Sequence, residues 1–349
     1  MTGVPDNTVN LLSDTQTKPT AAMRAAIAAA EVGDEQRGED PTVNALQDRV
    51  AELLGQEAAV FLPSGTMCNA IAFQLHLRPG DELLLHASAH PVGFEAGGPA
   101  ALAGAMIRTL PGEGGMFTAD AVREAIRPLG DRHAPRTRCV SVEQTTNLGG
   151  GRVWPRAQGL AVLAAAAENG LRTHLDGARL LNAVVASGVP AADWARGFDT
   201  AWIDFSKGLG APVGAALAAS NELIEEAFRL KHRLGGAMRQ AGIIAAAGLY
   251  ALDHHVDRLA EDHARARRLA EGLATLPGLQ LDPGTVDTNI VVFGAPDAPA
   301  LSDALARRGV RIAAIGPRRL RAVTHLDVDD DGIDRALQAA GDALVAGSA

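Results

Sequence analysis

The sequence lacks the features that would place the protein outside the cell or in a membrane. Its two cysteines, Cys68 and Cys139, lie far apart and form no Cys-x-x-Cys motif, so we expect a reducing, cytoplasmic environment. No apolar run approaches the ~20 residues that a membrane-spanning helix needs. The first residues have neither the basic segment nor the apolar segment of a signal peptide. These absences predict a soluble intracellular protein without a membrane partner.

The sequence also has fewer basic than acidic residues. The chain of 349 residues has 32 Lys and Arg against 41 Asp and Glu, a formal net charge of -9. Proteins that bind nucleic acids present a basic face, so no nucleic-acid partner is expected. The sequence also has no internal repeat. Its length suits one large domain and a smaller one, with a small molecule as the partner.

Common ligand-binding signatures are missing too. The sequence has no Walker motif, and the glycine-rich loop at 208–214 leads into a predicted strand rather than a helix, which excludes a dinucleotide fingerprint. His86 and His90 are four residues apart but run into Pro91, and the pair at 254–255 lacks a His-Glu-x-x-His context. We therefore expect no metal centre.

What the sequence does contain is an alternation of short apolar runs with helical segments. This alternation is typical of an α/β fold with a largely parallel sheet. The predicted strands of this sheet are 58–62, 82–86, 106–110, 139–142, 171–175, 201–205 and 213–218. Long helices at 242–254 and 256–276 then lead to a last segment with fewer strands. We predict a large cofactor-binding domain with its N-terminal segment at 1–245 and a small C-terminal domain at 246–349.

Lys207 is the most informative residue. It stands between the apolar run 201–203 and the glycine- and proline-containing loop 208–212. A lysine rarely lies in such surroundings unless it is paired or chemically used. A desolvated amine forms Schiff bases with carbonyl compounds. We predict that Lys207 anchors a carbonyl cofactor covalently.

Asp176 supplies the matching acid. It follows the predicted strand 171–175 and precedes a glycine turn, and ligands of open α/β sheets bind at such strand ends. A carboxylate there can keep the ring nitrogen of pyridoxal 5'-phosphate (PLP) protonated, so that the ring acts as an electron sink. Alone, Asp176 is equally well explained as a helix N-cap. Together with Lys207, one strand–helix–strand unit later, it favours PLP.

Further candidates surround this pair. Gly65 and Thr66 open a helix directly after a strand, where free N–H groups bind phosphate, although Ser64 before them could simply cap that helix. The ring of His90 could stack on a planar cofactor. Two arginines, Arg179 and Arg321, are candidates for bidentate binding of a substrate carboxylate.

Short motifs throughout the chain resemble a known family. They are Ser-Asp-Thr-Gln-Thr-Lys-Pro at 13–19, Gly-Glu-Asp-Pro-Thr-Val-Asn at 38–44, Pro-Ser-Gly-Thr at 63–66, Glu-Ala-Gly-Gly at 95–98, His-Leu-Asp-Gly-Ala-Arg at 174–179, Ser-Lys-Gly-Leu-Gly-Ala-Pro-Val-Gly at 206–214 and Met-Arg-Gln at 238–240. They resemble the low-specificity L-threonine aldolases, PLP-dependent enzymes of fold type I in the β-eliminating lyase group. The resemblance runs from about residue 12 to 328.

The resemblance implies a fold, an assembly and a reaction. The implied fold is a large domain with a mostly parallel seven-stranded sheet flanked by helices, plus a small C-terminal α/β domain. The implied assembly is a homotetramer, a dimer of dimers with active sites at subunit interfaces. The implied reaction cleaves or forms a β-hydroxy-α-amino acid similar to threonine, with glycine and an aldehyde as products. The PLP ring, held on Lys207 as a Schiff base, takes up the electrons of the broken bond.

The resemblance also implies residue roles. The implied catalytic residues are Lys207, His90 and Thr146. The implied cofactor-binding residues are Lys207, Asp176, His90, Gly65, Thr66, Arg179 and Arg239, of which Arg239 reaches the phosphate from a neighbouring subunit. The implied substrate-binding residues are Ser13, Arg179, Arg321, Arg37 and His232.

Three positions depart from the family pattern. Thr146 replaces a histidine that contacts the substrate hydroxyl, and a threonine cannot act as a base near neutral pH, which leaves water, His86 or His232 as candidates. Arg37 replaces a tyrosine, and His232 another basic residue. Arg37 is either a solvated surface charge or, if it faces the substrate, a selector for acidic side chains.

Two other functions remain open at this point. One is a different PLP reaction on the same scaffold, by a β-eliminating lyase, a dehydratase or a racemase. The other is a PLP-binding protein without turnover.

Overall fold

The computed structural model describes residues 8–128 and 130–347. The strands are β1 (Val9–Asn10), β2 (Ala58–Leu62), β3 (Glu82–His86), β4 (Met106–Leu110), β5 (Thr137–Glu143), β6 (Arg172–Gly177), β7 (Thr200–Asp204), β8 (Ala215–Ala219), β9 (Ile290–Gly294), β10 (Val310–Arg311), β11 (Ala313–Gly316) and β12 (Arg319–Val323). The helices are α1 (Ala21–Ala28), α2 (Pro41–Leu54), α3 (Gly65–His76), α4 (His90–Gly93), α5 (Gly98–Ala103), α6 (Ala119–Ala125), α7 (Arg156–Glu168), α8 (Leu180–Ser187), α9 (Ala191–Ala195), α10 (Asn221–Arg233), α11 (Gly242–His254), α12 (Leu259–Ala274), α13 (Ala298–Ala306) and α14 (Asp330–Gly347). In these two ranges no helix is both long and apolar enough to cross a membrane.

The central sheet has seven strands in the order β2-β8-β7-β6-β5-β3-β4. Strand β8 runs antiparallel to both of its neighbours, and the other pairs are parallel. All residues of β7 and β8 are buried, as expected for strands covered by helices on both faces. The predicted α/β class with a mostly parallel seven-stranded sheet is confirmed.

Local sequence signals position the helix that later matters most, α3. Ser64, in extended conformation, caps it by accepting a hydrogen bond from the backbone N–H of Met67 at 3.2 Å. Gly65 is the first helical residue, directly after β2 and its short turn. The N-terminus of α3 therefore points to the end of the sheet where the parallel strands finish.

A second apolar cluster lies outside the central sheet. It joins the faces of α12, α13 and α14 to the antiparallel sheet β11-β12-β9. Val9 and Leu11 belong to this cluster, because β1 pairs with β10 from the far end of the chain. The division of the chain into 1–245 and 246–349 stays a prediction.

Candidate active site

A cavity of about 340 Å³ lies at the ends of β5, β6 and β7. It is lined by most of the residues predicted from the sequence, namely Ser13, Gly65, Thr66, His90, Asp176, Arg179, Lys207 and Arg321. Its volume falls within the usual range of small-molecule sites. A larger cavity of about 660 Å³, lined by parts of α7, α9 and α12, contains none of the predicted residues. The sheet thus brings together side chains that are up to about 300 positions apart in sequence.

Lys207 lies in the turn after β7 with its side chain 18% exposed. Its Nζ forms an ion pair with Oδ2 of Asp204, whose other oxygen accepts hydrogen bonds from the N–H and hydroxyl of Ser206 at 2.8 and 2.7 Å. Nζ also lies 5.6 Å from the ring centre of Trp202. Lys207 is therefore paired, which is one of the two conditions under which a lysine lies beside apolar segments, and Asp204 holds its amine at the cavity.

Asp176 is buried in β6 and faces the same cavity. One of its oxygens accepts a hydrogen bond from Nδ2 of Asn69 at 2.9 Å, and the other accepts from the N–H of Ala178 at 3.2 Å. Burial raises the pKa of the Asp176 carboxyl, and the Asn69 hydrogen bond opposes this rise. Asp176 is not the N-cap of α8, since that cap is Arg179.

His90, the first residue of α4, is held by two glutamates. Its Nδ1 lies 2.8 Å from Oε1 of Glu95, and its backbone N–H donates to Oε2 of Glu143 at 2.8 Å. Burial lowers the pKa of His90, but the Glu95 hydrogen bond and nearby carboxylates outweigh burial, so that its pKa is raised. The ring stacks on Phe94 at 5.5 Å between centres. Burial also raises the pKa of Glu143, to about 7.

Gly65 is needed for a reason that the sequence did not reveal. A Cβ atom at this position would lie 2.3 Å from Cη2 of Trp202 and 3.1 Å from Oδ2 of Asp204. The space beside Gly65 is filled by the buried indole ring. The absence of a side chain at Gly65 thus lets the first turn of α3 pack against Trp202 and beside Asp204, the partner of Lys207.

Arg179 forms a buried, bidentate ion pair with Asp14. Its Nε and Nη2 each lie 2.7 Å from a carboxylate oxygen of Asp14. Burial raises the pKa of Asp14, but the positive charge of Arg179 outweighs burial and lowers this pKa. Ser13, next to Asp14, accepts hydrogen bonds from the N–H and hydroxyl of Thr15 at 3.2 and 2.9 Å. The short 3-10 turn at Asp14–Gln16 therefore fixes the direction of the arginine.

Arg321 approaches the cavity from β12. It donates to Oδ1 of Asn147 at 2.6 Å and to the carbonyl oxygen of Leu12 at 3.2 Å. Its buried Nε has no hydrogen-bond partner among the described residues. Burial and the charge of Arg179 lower the pKa of Arg321. An anion between the two guanidinium groups would be stabilised by both.

The structure does not place Thr146 in the cavity. Its neighbours Thr145 and Asn147 line the cavity, whereas the buried Oγ1 of Thr146 accepts a hydrogen bond from the N–H of Arg152 at 3.2 Å. A Cβ atom on Gly149 would lie 2.4 Å from this oxygen, so the loop is tightly closed around it. This geometry therefore does not support direct contact between Thr146 and a substrate.

Three other predicted residues lie outside the cavity of the same chain. Arg239 donates to Asp34 at 3.0 Å, and Arg37, whose side chain is 73% exposed, lies 3.9 Å from the same carboxylate. His232 lines a separate cavity of about 460 Å³. His86, one of the candidate bases, is bonded to Ser88 and to a backbone carbonyl, and does not line the active-site cavity.

The sequence is similar to those of known proteins. The family described as beta-eliminating lyase matches residues 10–296. A low specificity L-threonine aldolase of Escherichia coli K12 is 43% identical over 323 residues, which cover 92% of this chain and 94% of that protein. The chain belongs to the low-specificity L-threonine aldolases of the beta-eliminating lyase family.

One further relative and two solved structures are also similar to this chain. The probable low-specificity L-threonine aldolase 2 of Arabidopsis thaliana is 40% identical over 95% of both chains. A solved threonine aldolase from Leishmania major has a TM-score of 0.82 at 21% identity and covers 95% of this chain and 98% of that one. A putative L-allo-threonine aldolase from Listeria monocytogenes has a TM-score of 0.79 at 19% identity, over 96% of both chains. The predicted fold type I architecture is confirmed.

Sequence reasoning missed several partners of the predicted site residues, among them Asn69, Glu95, Glu143 and Asp204. Glu95 begins one of the short motifs that resemble those of the family, but no role followed from the motif alone, and Glu143 is the last residue of β5. Asn69 is one polar residue among the buried apolar residues of α3, which is a readable signal. Asp204 stands three residues before Lys207, where its pairing depends on the turn.

Proposed function

We propose that the protein is a PLP-dependent aldolase that cleaves threonine-like β-hydroxy-α-amino acids to glycine and an aldehyde, or forms them in reverse. The observation that carries this proposal is the cavity in which Lys207, the buried Asp176 and the guanidinium groups of Arg179 and Arg321 meet. An amine, an acid and an anion-binding pair are the groups that amino-acid chemistry on PLP requires.

The residues present fit this cofactor. Lys207 supplies an amine that Asp204 orients, and Asp176 supplies a buried carboxylate that would pair with the ring nitrogen. The first N–H groups of α3, at Gly65 and Thr66, have no partner within the helix and can donate to a phosphate. When bound, PLP acts as an electron sink for the bond that breaks at the α-carbon.

We propose that Arg179, Arg321 and Ser13 bind the substrate carboxylate. The unpartnered Nε of Arg321 supports this assignment, because a buried donor without an acceptor is costly unless a ligand supplies one. Arg179 is already aligned by Asp14. A carboxylate fixed by two guanidinium groups sets the orientation of the bond that breaks, and orientation of this kind accounts for a large part of enzymatic rate enhancement.

We propose that His90 accepts the proton of the substrate hydroxyl at Nε2. The contact with Glu95 places the hydrogen on Nδ1 and leaves Nε2 with its lone pair in the neutral ring. Among the described residues, His90 is the one histidine that lines the cavity. The same ring is suitably placed to stack on the cofactor. Water then remains an alternative proton acceptor, as does His232 from a neighbouring subunit, whereas His86 does not line the cavity.

We also propose a cytoplasmic homotetramer, a dimer of dimers, in which Arg239 and His232 reach the site of a neighbouring subunit. The exposed cluster of Arg37 and Arg239 around Asp34 lies outside the cavity of its own chain, which supports a contribution across an interface. In this arrangement Arg37 would lie near the substrate side chain of the neighbouring site and favour an acidic substituent.

The proposal is tested by incubating the PLP-loaded protein with a panel of β-hydroxy-α-amino acids and measuring the products. We expect glycine and an aldehyde in equal amounts, and no turnover in Lys207→Arg, which retains the charge beside Asp204. A 2-oxo acid with ammonia would instead identify a β-eliminating enzyme, and D-amino acid without cleavage would identify a racemase. PLP binding without any product would leave a non-catalytic PLP protein.

The assembly is tested by subunit mixing. Lys207→Arg and Arg239→Ala are each expected to be nearly inactive. Coexpressed in equal amounts, they should regain activity, because hybrid dimers would carry one intact site and about a quarter of all sites would be restored. Absence of recovery in dimers shown to be mixed would contradict a role of Arg239 across the interface.

A further inference from the structure

Behind Asp176, a line of buried polar side chains leads away from the cavity. Its first member is Asn69 of α3, which is 1% exposed. Nδ2 of Asn69 donates to Oδ2 of Asp176 at 2.9 Å and to Oε1 of Glu95 at 2.7 Å. The same Glu95 oxygen lies 2.8 Å from His90 Nδ1. One amide thus connects the carboxylate below the proposed ring nitrogen with the histidine proposed to stack on the ring.

The orientation of this amide is set by Trp202. The indole Nε1 can only donate, and it lies 2.8 Å from Oδ1 of Asn69. The carbonyl oxygen of Asn69 must therefore face Trp202, and its NH₂ group must face Asp176 and Glu95. An amide flipped by half a turn would set a donor against a donor and an oxygen against two carboxylates. Asn69 consequently has one usable orientation.

The same logic fixes the residues behind Asn69. His174 Nε2 lies 3.0 Å from Asn69 Oδ1, so this nitrogen must carry the hydrogen and Nδ1 must accept. His174 Nδ1 lies 2.7 Å from Thr200 Oγ1, whose hydrogen it takes. Thr200 Oγ1 in turn accepts from His76 Nε2 at 2.8 Å. Each residue of the line then donates its hydrogen bond to the next residue towards the active site, in the order His76, Thr200, His174, Asn69.

Both histidines are kept neutral by burial. Burial lowers the pKa of His76 to about 4 and brings the pKa of His174 well below its usual value. The other ring nitrogen of His76, Nδ1, has no hydrogen-bond partner among the described residues. This agrees with a neutral ring whose hydrogen is on Nε2, so that His76 is the first donor of the line. A neutral line of aligned dipoles stabilises negative charge at its receiving end.

We propose that Asn69 is a positioning residue for the cofactor, and that Trp202 and the His76–Thr200–His174 line hold its amide so that Asp176 stays anionic and Glu95 stays bonded to His90. The proposal rests on the proposed PLP function and goes beyond it, because it also assigns a role to His76, Thr200 and His174, which lie outside the cavity lining. It predicts that breaking the line at Thr200, outside the cavity lining, weakens cofactor binding.

The test measures the dissociation constant of PLP by fluorescence quenching, independently of catalysis. Asn69→Leu, similar in shape but without hydrogen-bonding atoms, should raise this constant by about 10- to 100-fold. Thr200→Val should raise it by roughly 3- to 10-fold, because His174 Nδ1 loses its donor. Thr200→Ser, which restores the hydroxyl, should stay within about twofold of the unchanged protein.

The matched control is Thr288→Val. Thr288 is equally buried and loses one hydrogen bond, to the carbonyl of Gly151, which lies outside the line. Its melting temperature should fall, because a buried hydrogen bond is lost, but its PLP affinity should stay unchanged. Equal PLP affinities in the two valine variants would overturn the proposal.

The outcomes also separate the two levels of inference. If the unchanged protein binds no PLP, the proposed function fails. If it binds PLP but Thr200→Val and Asn69→Leu bind it equally well, the function stands and the hydrogen-bonded line has no positioning role. If Asn69→Leu fails to fold, the PLP affinities of Thr200→Val and Thr200→Ser alone decide whether the line has a positioning role.

Discussion

Replacing Gly65 by alanine is the sharpest perturbation that the structure offers. The new methyl carbon would lie 2.3 Å from Cη2 and 2.5 Å from Cζ3 of Trp202. Carbon atoms in contact prefer separations of about 3.5–4.0 Å, so the indole or the start of α3 must move by more than ~1 Å. Trp202 is 2% exposed and its indole Nε1 donates to Asn69, so a shift of the ring disturbs that hydrogen bond.

The expected cost follows from these contacts. Overpacking of a dense core costs about 1–3 kcal/mol. Weakening the hydrogen bond between Trp202 and Asn69 adds about 0.5–1.5 kcal/mol. A total loss of ~2–4 kcal/mol in the free energy of unfolding corresponds to a fall in melting temperature of roughly 3–6 °C for a chain of this size. PLP affinity should fall as well, because the helix N-terminus and the Asn69 amide both shift.

Thermal unfolding followed by circular dichroism, with and without PLP, measures both effects. The control is Gly159→Ala in α7, where an added Cβ would meet no heavy atom within 4 Å and should stabilise the helix by about 0.5–1 kcal/mol. Trp202→Phe removes the outer ring atoms, so the double variant with Gly65→Ala should be more stable than the sum of the single effects predicts. A Gly65→Ala variant with unchanged melting temperature and PLP affinity would refute the reasoning.

Other predictions concern charged groups of the site. Asp14→Ala leaves Arg179 buried without its partner and should lower the free energy of unfolding by about 3–5 kcal/mol in urea titrations. Arg321→Lys retains the charge but loses the planar fork, so KM for the amino acid should rise by about tenfold with a smaller change in kcat, as steady-state kinetics would reveal. Glu95→Gln removes the carboxylate that raises the pKa of His90; since the proposed base is active when neutral, the acidic limb of the kcat/KM profile should move to lower pH, and an unmoved limb would argue against His90.

Much of the fold was predictable, because its signals are local. Strands β2, β3 and β4 begin and end at the predicted residues, since each is a short apolar run between turn residues. Helix α10 was missed although Ser220 caps it and buried apolar residues recur along it at helical spacing. The pairing of β1 with β10 joins residues some 300 positions apart and has no local signal.

The site was predictable to the extent that residues end strands or open helices. Lys207, Asp176, His90 and Gly65 all meet at the cavity, as strand-end reasoning predicts. The contacts of Asn69 and Glu143 are made between distant elements and have no local signal. The pairings of Asp204 and Glu95 are local, but they depend on turn geometry that the sequence does not specify. Thr146 shows the reverse: the resemblance implied a catalytic role for this position, but its side chain lies in a closed loop outside the cavity lining.

Trp202 links position 65 on one side to position 69 on the other, and this has a consequence for protein engineering and for natural variation. The two helix positions and the indole form one unit of three residues in which a change at one site alters what the others tolerate. A library randomised at position 65 alone should return glycine almost exclusively. Libraries that also vary position 202 should yield larger residues at 65 only together with a smaller side chain at 202 and a replacement donor for Asn69. Changes in this part of the cofactor site therefore have to be made as coordinated sets.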